Sequence, residues 1–367
     1  MGCTTNSSHP AVPMRHPQST RREDYGQPGW ASWVADVLRL KDYSDGLGRI
    51  ALARCLLLAS VLKVAVSALA HRVTGCGRET VRNGLRACLP TDHRELEHHL
   101  AWGFRQPLGR RATRRSVPLA IDIHKRPYYG DRRRTPGVTG GPRDRGTSYF
   151  WSYATVVSLR RGHRHTLGLT TVEPKEKLVA VVERLLADVR ASGVRVRYVL
   201  LDRGFYAAEV FDLLERHRLR FVVPVLRRPP TERFFRRGQR GWFAHTLESR
   251  RRECRAAIRV AVVPNPDGRK RPLVFACSGG FGSGPRVLLR YRRRFGIESS
   301  YRQLGECLAQ TTSRDRVYRL LLVGVSLLIR AWSVLSRVRV WTIRVQLILT
   351  LNNTTEPPES TQHPTPP

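Results

Sequence analysis

Two apolar runs in the sequence each end in an aspartate. The first extends from Ser116 to Asp122 and the second from Val194 to Asp202. Both are short and rich in Val, Leu and Ile, and Pro127 closes the first, so each predicts a buried β-strand rather than a helix. If the two strands lie parallel and adjacent, both carboxylates emerge at one edge of a sheet, where α/β proteins collect their active sites.

A lone aspartate at the end of a strand has an ordinary structural explanation. It can cap a turn or pair with a neighbouring arginine on the surface. Further carboxylates must therefore converge on Asp122 before the pattern indicates chemistry.

Glu298 is the third candidate carboxylate. It lies in a long helix predicted to begin near Arg286, in which Tyr291, Arg294 and Glu298 follow one edge at spacings of three and four residues. An ion pair between Arg294 and Glu298 on a solvated helix is the structural alternative. The two upstream aspartates favour the functional interpretation, in which Glu298 faces the sheet.

The order of the predicted elements defines a fold class. Two predicted strands flank a turn at Arg160–Arg164 and form a hairpin with it. A helix covers Lys175–Ala191, and a further strand begins at Phe221. The order β-β-β-α-β-α-β over residues 116–228 is that of a ribonuclease-H-like mixed α/β sheet with flanking helices. Residues 286–340 supply its later helices.

Residues 229–285 interrupt this order before the last catalytic helix. They contain Arg-rich, alternating segments around the turn sequence Asn265-Pro-Asp-Gly268, which predicts a β-rich insertion. Its charge is consistent with DNA contact or with a solvated face.

Residues 30–115 have the pattern of a small helical domain. A helix over Val61–Val73, a break at Thr74–Gly77 and a second helix resemble a helix-turn-helix, which inserts its second helix into the major groove of DNA. The residues that this second helix would present to DNA are Arg82, Asn83 and Arg86. Plain packing of two helices joined through glycine is the alternative.

The two ends of the chain lack such patterns. Residues 1–29 are polar and show no period, and residues 341–367 are rich in Pro and Thr, so both are predicted to be disordered. Residues 50–70 are apolar enough to span a bilayer but contain Arg54 and Lys63, and we interpret them as a buried helix.

The charge of the chain limits the classes of molecule that it is expected to bind. A formal net charge of +36 and a pI of about 11.4 indicate a polyanionic partner, most simply nucleic acid, with a membrane surface as the alternative. Seven cysteines without a C-x-x-C pair indicate neither a zinc site nor a disulfide framework. These features predict a cytoplasmic, nucleoid-associated protein that does not enter a membrane.

Clustered acids within such a basic chain suggest metal-dependent chemistry on phosphodiesters. Mg²⁺ prefers hard oxygen ligands, and a few carboxylates together with substrate phosphate suffice to hold it. Two such ions activate the attacking oxygen and neutralise charge on the phosphate that reacts. Mn²⁺ is expected to substitute. The arginines would then hold DNA while the acids hold metal.

These residues resemble a known family. The succession of Asp122, Asp202 in Leu-Leu-Asp-Arg-Gly-Phe, and Tyr291-x2-Arg294-x3-Glu298 is similar to that of DDE transposases of bacterial and archaeal insertion sequences, in particular the insertion-sequence-four family. The resemblance covers roughly residues 75–340. One position departs from the family pattern: the lysine often found seven residues after the glutamate is Gly305 here, although Arg302 lies one turn away.

The resemblance implies a site and an activity. Asp122, Asp202 and Glu298 would be the catalytic residues and the Mg²⁺ ligands. Residues implied or expected to contact DNA around them are Tyr291, Arg294, Arg302, His124, Lys125 and Arg203. The protein would bind the terminal inverted repeats of its element, cleave there and transfer the strands into target DNA, and a homodimer on DNA is the simplest assembly. An inactive or domesticated DNA-binding protein and a ribonuclease-H-fold nuclease remain as alternatives.

Overall fold

The computed structural model describes residues 29–106, 108, 115–160, 163–249, 253–267, 271–294, 305–336, 342, 344–345 and 347–349. Most of the predicted leader and tail, and both Glu298 and Arg302, lie outside these residues. The described chain begins with five helices, which are α1 (Gly29–Leu38), α2 (Arg49–Leu62), α3 (Ala70–Thr74), α4 (Arg78–Cys88) and α5 (His93–Arg105). No helix in the described ranges is both long enough and apolar enough to cross a membrane.

The predicted helix over Val61–Val73 is wrong. Helix α2 ends at Leu62 because Lys63 adopts a left-handed conformation with φ 61°, which directs the backbone out of the helical path. A short 3₁₀ turn over Val66–Ala68 and α3 follow. The break before α4 is present, and Gly75 provides it with a φ of 71°, a conformation that costs glycine little.

Nine strands of the described residues form one mixed sheet. Their bounds are β1 (Val117–Pro127), β2 (Thr139–Asp144), β3 (Thr147–Arg160), β4 (His163–Thr171), β5 (Val196–Leu201), β6 (Phe221–Pro224), β7 (Gly241–Glu248), β8 (Arg255–Val263) and β9 (Leu273–Cys277). The order across the sheet is β2-β3-β1-β5-β6-β9-β8-β7, and β4 pairs with β3. Residues 229–285 therefore contribute three strands to the same sheet, through the antiparallel pairing of β9 with β6.

Strands β1 and β5 are adjacent and parallel, as the sequence predicts. Their register pairs Ile121 with Leu201, so Asp122 within β1 and Asp202 directly after β5 come to neighbouring positions. The apolar side chains that precede the two aspartates are buried on both faces of the sheet, in two separate cores.

Four later helices in the described part of the chain cover the sheet. They are α6 (Leu178–Ala191), α7 (Ala208–Arg216), α8 (Gly284–Arg292) and α9 (Arg316–Ser336). Helices α6 and α7 bury one face, on the side of Ile121 and Val199. Helix α8 covers part of the opposite face against Tyr198, and α9 packs with α2 and α5 in a separate core that reaches Tyr153 of β3.

A buried polar cluster joins the helical part to the sheet. The carboxylate of Glu97 on α5 accepts hydrogen bonds from the backbone N–H of Thr171 at 2.7 Å and from the hydroxyls of Thr170 and Thr171. Arg94 on the same helix donates to Glu97 and to Thr170. Every polar atom of this buried carboxylate has partners, so α5 is fixed on β4.

Candidate active site

The two aspartates meet at one guanidinium group. Arg294 donates from Nη1 to Asp122 Oδ2 at 3.1 Å and from Nη2 to Asp202 Oδ1 at 2.9 Å. The Arg294 and Asp122 side chains are 8% and 12% exposed, whereas that of Asp202 is 45% exposed. The structure thus brings together the two aspartates that the sequence singles out, with one carboxylate buried and the other open to solvent. Strand β1 continues past Asp122 to Pro127, so only Asp202 lies at the end of its strand.

Arg294 reaches the aspartates from just beyond helix α8. Its backbone N–H donates to the carbonyl of Tyr291, and its Nε donates to the Tyr291 hydroxyl at 3.0 Å. The ring of Tyr291 lies 5.0 Å from that of Phe275 on β9, centroid to centroid. Packing against the sheet therefore fixes Tyr291, and Tyr291 orients the guanidinium.

Burial dominates the electrostatics of this cluster. Removal from water raises the pKa of Asp122 to about 6 despite the opposing charge of Arg294, and the Asp202 carboxylate raises it further. Burial also raises the pKa of Tyr291 to about 12, against the effect of Arg294, so its hydroxyl remains protonated. Burial by itself would lower the pKa of Arg294. The effects of Tyr291 and the two aspartates are larger together, so the pKa is raised.

The residues next to the aspartates divide between two faces. Side chains alternate along β1, so His124 shares the face of Asp122 and Lys125 lies on the opposite face, where its ammonium is 5.6 Å from the centre of the Phe150 ring. Burial lowers the pKa of His124 to about 4, and Arg126 and Arg145 lower it further, so its imidazole is neutral. Arg203 follows Asp202 and is exposed.

The residues of the predicted helix-turn-helix lie on α4, away from this cluster. Arg82 and Arg86 are exposed, and Arg82 forms an ion pair with Glu79 one turn earlier. Asn83 is half-buried, because α4 packs its Val81 and Leu85 into the helical core. The structure therefore presents the two arginines to solvent more fully than the asparagine.

Sequence reasoning missed one residue on the face of Asp122. Arg126 lies four residues further along β1, and the alternation of the strand places its side chain on the same face as Asp122 and His124. The two-residue period of β1 is the signal that could have identified it. Arg319 on α9 was missed as well, and only the packing of α9 over Tyr128 and Trp151 reveals it.

The aspartate pair has the chemistry of a cation site. Its carboxylate oxygens are the hard donors that Mg²⁺ prefers, and one guanidinium already contacts both, so the pair is placed to share a cation. Among the described residues no group of three His, Cys, Asp or Glu side chains is positioned to hold a metal. Glu298, the third predicted ligand, lies outside the described residues and remains a prediction.

Comparison with solved structures identifies the fold. The chain is similar to a piggyBac transposase in a synaptic complex with hairpin DNA, solved by cryo-electron microscopy. The similarity covers 93% of this chain and 81% of that chain, with a TM-score of 0.54 and 12% sequence identity. No protein-family model matches the sequence, and no curated protein does. The molecule therefore shares the fold of that structure, with a mixed sheet and flanking helices.

Proposed function

We propose that this protein is a DNA transposase of the DDE type, similar to the insertion-sequence-four family, that cleaves DNA at the ends of its element and transfers the strands. One observation carries the proposal. Asp122 lies within β1 and Asp202 directly after the adjacent parallel β5, 80 residues apart in sequence, and both contact Arg294, in a fold similar to that of a transposase.

Each described residue of the cluster has a role in this proposal. Asp122 and Asp202, together with Glu298, would hold Mg²⁺. Mn²⁺ would substitute for Mg²⁺ at this site. The bound ions would supply activation of the attacking oxygen and charge neutralisation at the phosphate. Arg294 is a buried cation at the same place, so it would position the carboxylates and attract the scissile phosphate. Tyr291 would fix its orientation.

The charge of the chain supports the choice of substrate. A net charge of +36 attracts duplex DNA through the release of counterions, a contribution that needs no particular base sequence. Recognition of the terminal inverted repeats is assigned to α4, on which Arg82 and Arg86 are exposed. Two ends must be cut together, so we assign a homodimer to the complex with DNA.

Cleavage mapping tests the proposal. The purified full chain is incubated with Mg²⁺ and a duplex that contains the DNA flanking its gene, and nicks are mapped at nucleotide resolution. A transposase cuts at the inverted-repeat boundary and joins the freed 3′ end to a second duplex. Cuts spread along any duplex would indicate a general nuclease instead. Binding without cleavage in Mg²⁺ or Mn²⁺ would indicate a DNA-binding protein without catalytic activity.

A further inference from the structure

A large basic cavity lies at the end of β1, between the helical part and the sheet. It has a volume of about 910 Å³, and its walls come from the end of β1, residues 305–314 and helix α9. The cationic residues that line it are Lys63, Arg126, Arg145, Arg314 and Arg319. We call it the arginine cavity. None of the described residues that line it is acidic.

The arginines of this cavity are fixed by the fold or lack partners. Arg319 donates from Nε to the carbonyl of Ser313 at 2.5 Å, and its guanidinium lies over the rings of Tyr128 and Trp151. Within the described residues, the side chains of Arg126 and Arg314 have no hydrogen-bond or ion-pair partner. Positive charge is thus gathered in a concave site without a counter-charge, and an anion would remove this cost.

The charge of Arg126 is opposed by its surroundings. Burial lowers its pKa; Tyr153 raises it, and the neighbouring Arg145 and Arg319 lower it again. A partly buried guanidinium next to two others is a costly arrangement for stability, so it is better explained by binding than by folding.

The position of the arginine cavity matches a DNA strand that passes Asp122. Arg126 follows Asp122 by four residues on the same face of β1, a separation of about 13 Å at the usual rise of a strand. The phosphates of one duplex strand are spaced about 3.4 Å along the helix axis and also turn around it, so a separation of this size spans only a few nucleotides. The cavity is therefore close enough to Asp122 for one strand to contact both.

A second cavity continues the path toward α4. It has a volume of about 480 Å³, shares Gln310, Thr311, Thr312 and Arg314 with the arginine cavity, and extends to Arg82 and Arg86. Its acidic residue, Asp315, accepts hydrogen bonds from the backbone N–H groups of Val317 and Tyr318 at the start of α9. A basic path thus connects α4 with Arg126, on the strand that carries Asp122.

We propose that the arginine cavity binds backbone phosphates of the DNA strand within a few nucleotides of the bond that is cut. This inference rests on the proposed function for the location of that bond. A flat membrane surface would not reach Arg126, which lies half-buried at the end of β1, whereas a phosphodiester strand is narrow enough to enter.

The salt dependence of DNA binding tests this proposal without any cleavage. Binding of the full chain to a short flanking-DNA duplex is measured by fluorescence anisotropy in EDTA over a range of NaCl concentrations. Each lost phosphate contact should reduce the slope of log K against log salt by about 0.9. The double variant Arg126→Gln with Arg314→Gln should reduce it by about 1.8, and lysine at both positions should restore most of it.

A matched control removes the same charge elsewhere. Arg195 and Arg197 are exposed at the start of β5, at the opposite end of that strand from Asp202. Arg195→Gln with Arg197→Gln should leave the slope close to that of the wild type. Equal reductions in the two double variants would overturn the proposal, because charge alone and not the cavity would then govern binding.

Chemical protection of the wild-type chain provides a readout independent of variant folding. Phenylglyoxal modification of arginines is measured by mass spectrometry with and without the duplex. DNA should protect Arg126 and Arg314 while Arg197 stays reactive, and vesicles of anionic phosphatidylglycerol should protect neither cavity arginine. Unprotected cavity arginines on saturating DNA, or equal protection by vesicles, would overturn the proposal. Neither experiment requires catalysis, so an inactive enzyme would not affect the outcome.

Discussion

Removal of Arg294 should destabilise the protein far more than its position after an Arg-rich helix suggests. Arg294→Gln leaves Asp122 buried with its charge uncompensated by the guanidinium and also removes the contact with Asp202. Breaking a buried pair from one side costs about 3–5 kcal/mol, whereas an exposed pair contributes at most about 1 kcal/mol. Since Asp202 is half-exposed and Asp122 can take up a proton, we expect a loss of about 2–4 kcal/mol at pH 8.

The measurement is urea denaturation followed by circular dichroism in EDTA. Arg293→Gln is the matched control, because Arg293 is the preceding residue and is exposed. It should change the free energy of unfolding by less than about 0.5 kcal/mol. Adding Asp122→Asn to Arg294→Gln should recover about 1–2 kcal/mol, because the buried charge is then gone. Equal effects of Arg294→Gln and Arg293→Gln, or no recovery in the double variant, would refute the reasoning.

Three further changes test the packing and electrostatics of the fold. Burial raises the pKa of Asp188 to about 7, so its contribution to stability should fall as pH rises from about 4 to 7. Asp188→Asn should remove that contribution, which leaves the smaller fall due to Asp122, and should gain about 1–3 kcal/mol at pH 8, measured by urea titration at each pH. Gly324→Ala directs a methyl group into Leu100 where α9 crosses α5, which should cost about 1–3 kcal/mol by thermal denaturation. In the Leu100→Ala background the same change should cost less. Glu97→Gln should lose about 2–4 kcal/mol in the same assay, because its charged hydrogen bonds join α5 to β4.

The strand pair at the site was predictable because it depends on local patterns. The residues directly before Asp122 and Asp202 are apolar without a break, at 117–121 and 198–201, which indicates strands buried on both faces there, and such strands are typical of the parallel centre of a sheet. Their adjacency and common direction then follow from ordinary rules of chain connection. The start of α8 and the extent of α9 over the described residues follow in the same way from periodicity and from Pro285.

Other features depend on contacts between residues distant in sequence. Strand β2, with the sequence Thr-Gly-Gly-Pro-Arg-Asp, has no apolar alternation, and its pairing with β3 makes it a strand. The early end of α2 depends on the single left-handed residue Lys63. That β7, β8 and β9 extend the main sheet is decided by the pairing of β9 with β6, which no local pattern encodes.

Arg294 shows that local sequence patterns do not reveal long-range contacts at the site either. Local spacing offers it an ion pair one turn away at Glu298, whereas its described carboxylate partners are 172 and 92 residues distant in the chain. Helical periodicity places Arg294 on one edge of the predicted helix but does not identify what that edge faces. The arginine cavity was missed for the same reason, since Arg126 and Arg319 are brought together only by the fold.

The rate of DNA cleavage by single-residue variants tests the central claim most directly. Asp122→Asn and Asp202→Asn are compared with the wild type under single-turnover conditions on the flanking-DNA duplex with Mg²⁺, at protein concentrations that saturate the DNA. Asp212→Asn is the control, because Asp212 is an exposed carboxylate on α7 that pairs with Arg216. Loss of several kcal/mol of charge stabilisation corresponds to a decrease of about 1,000-fold in rate. The account predicts this decrease in both site variants, with DNA binding and the control unchanged; wild-type rates in either site variant would contradict it.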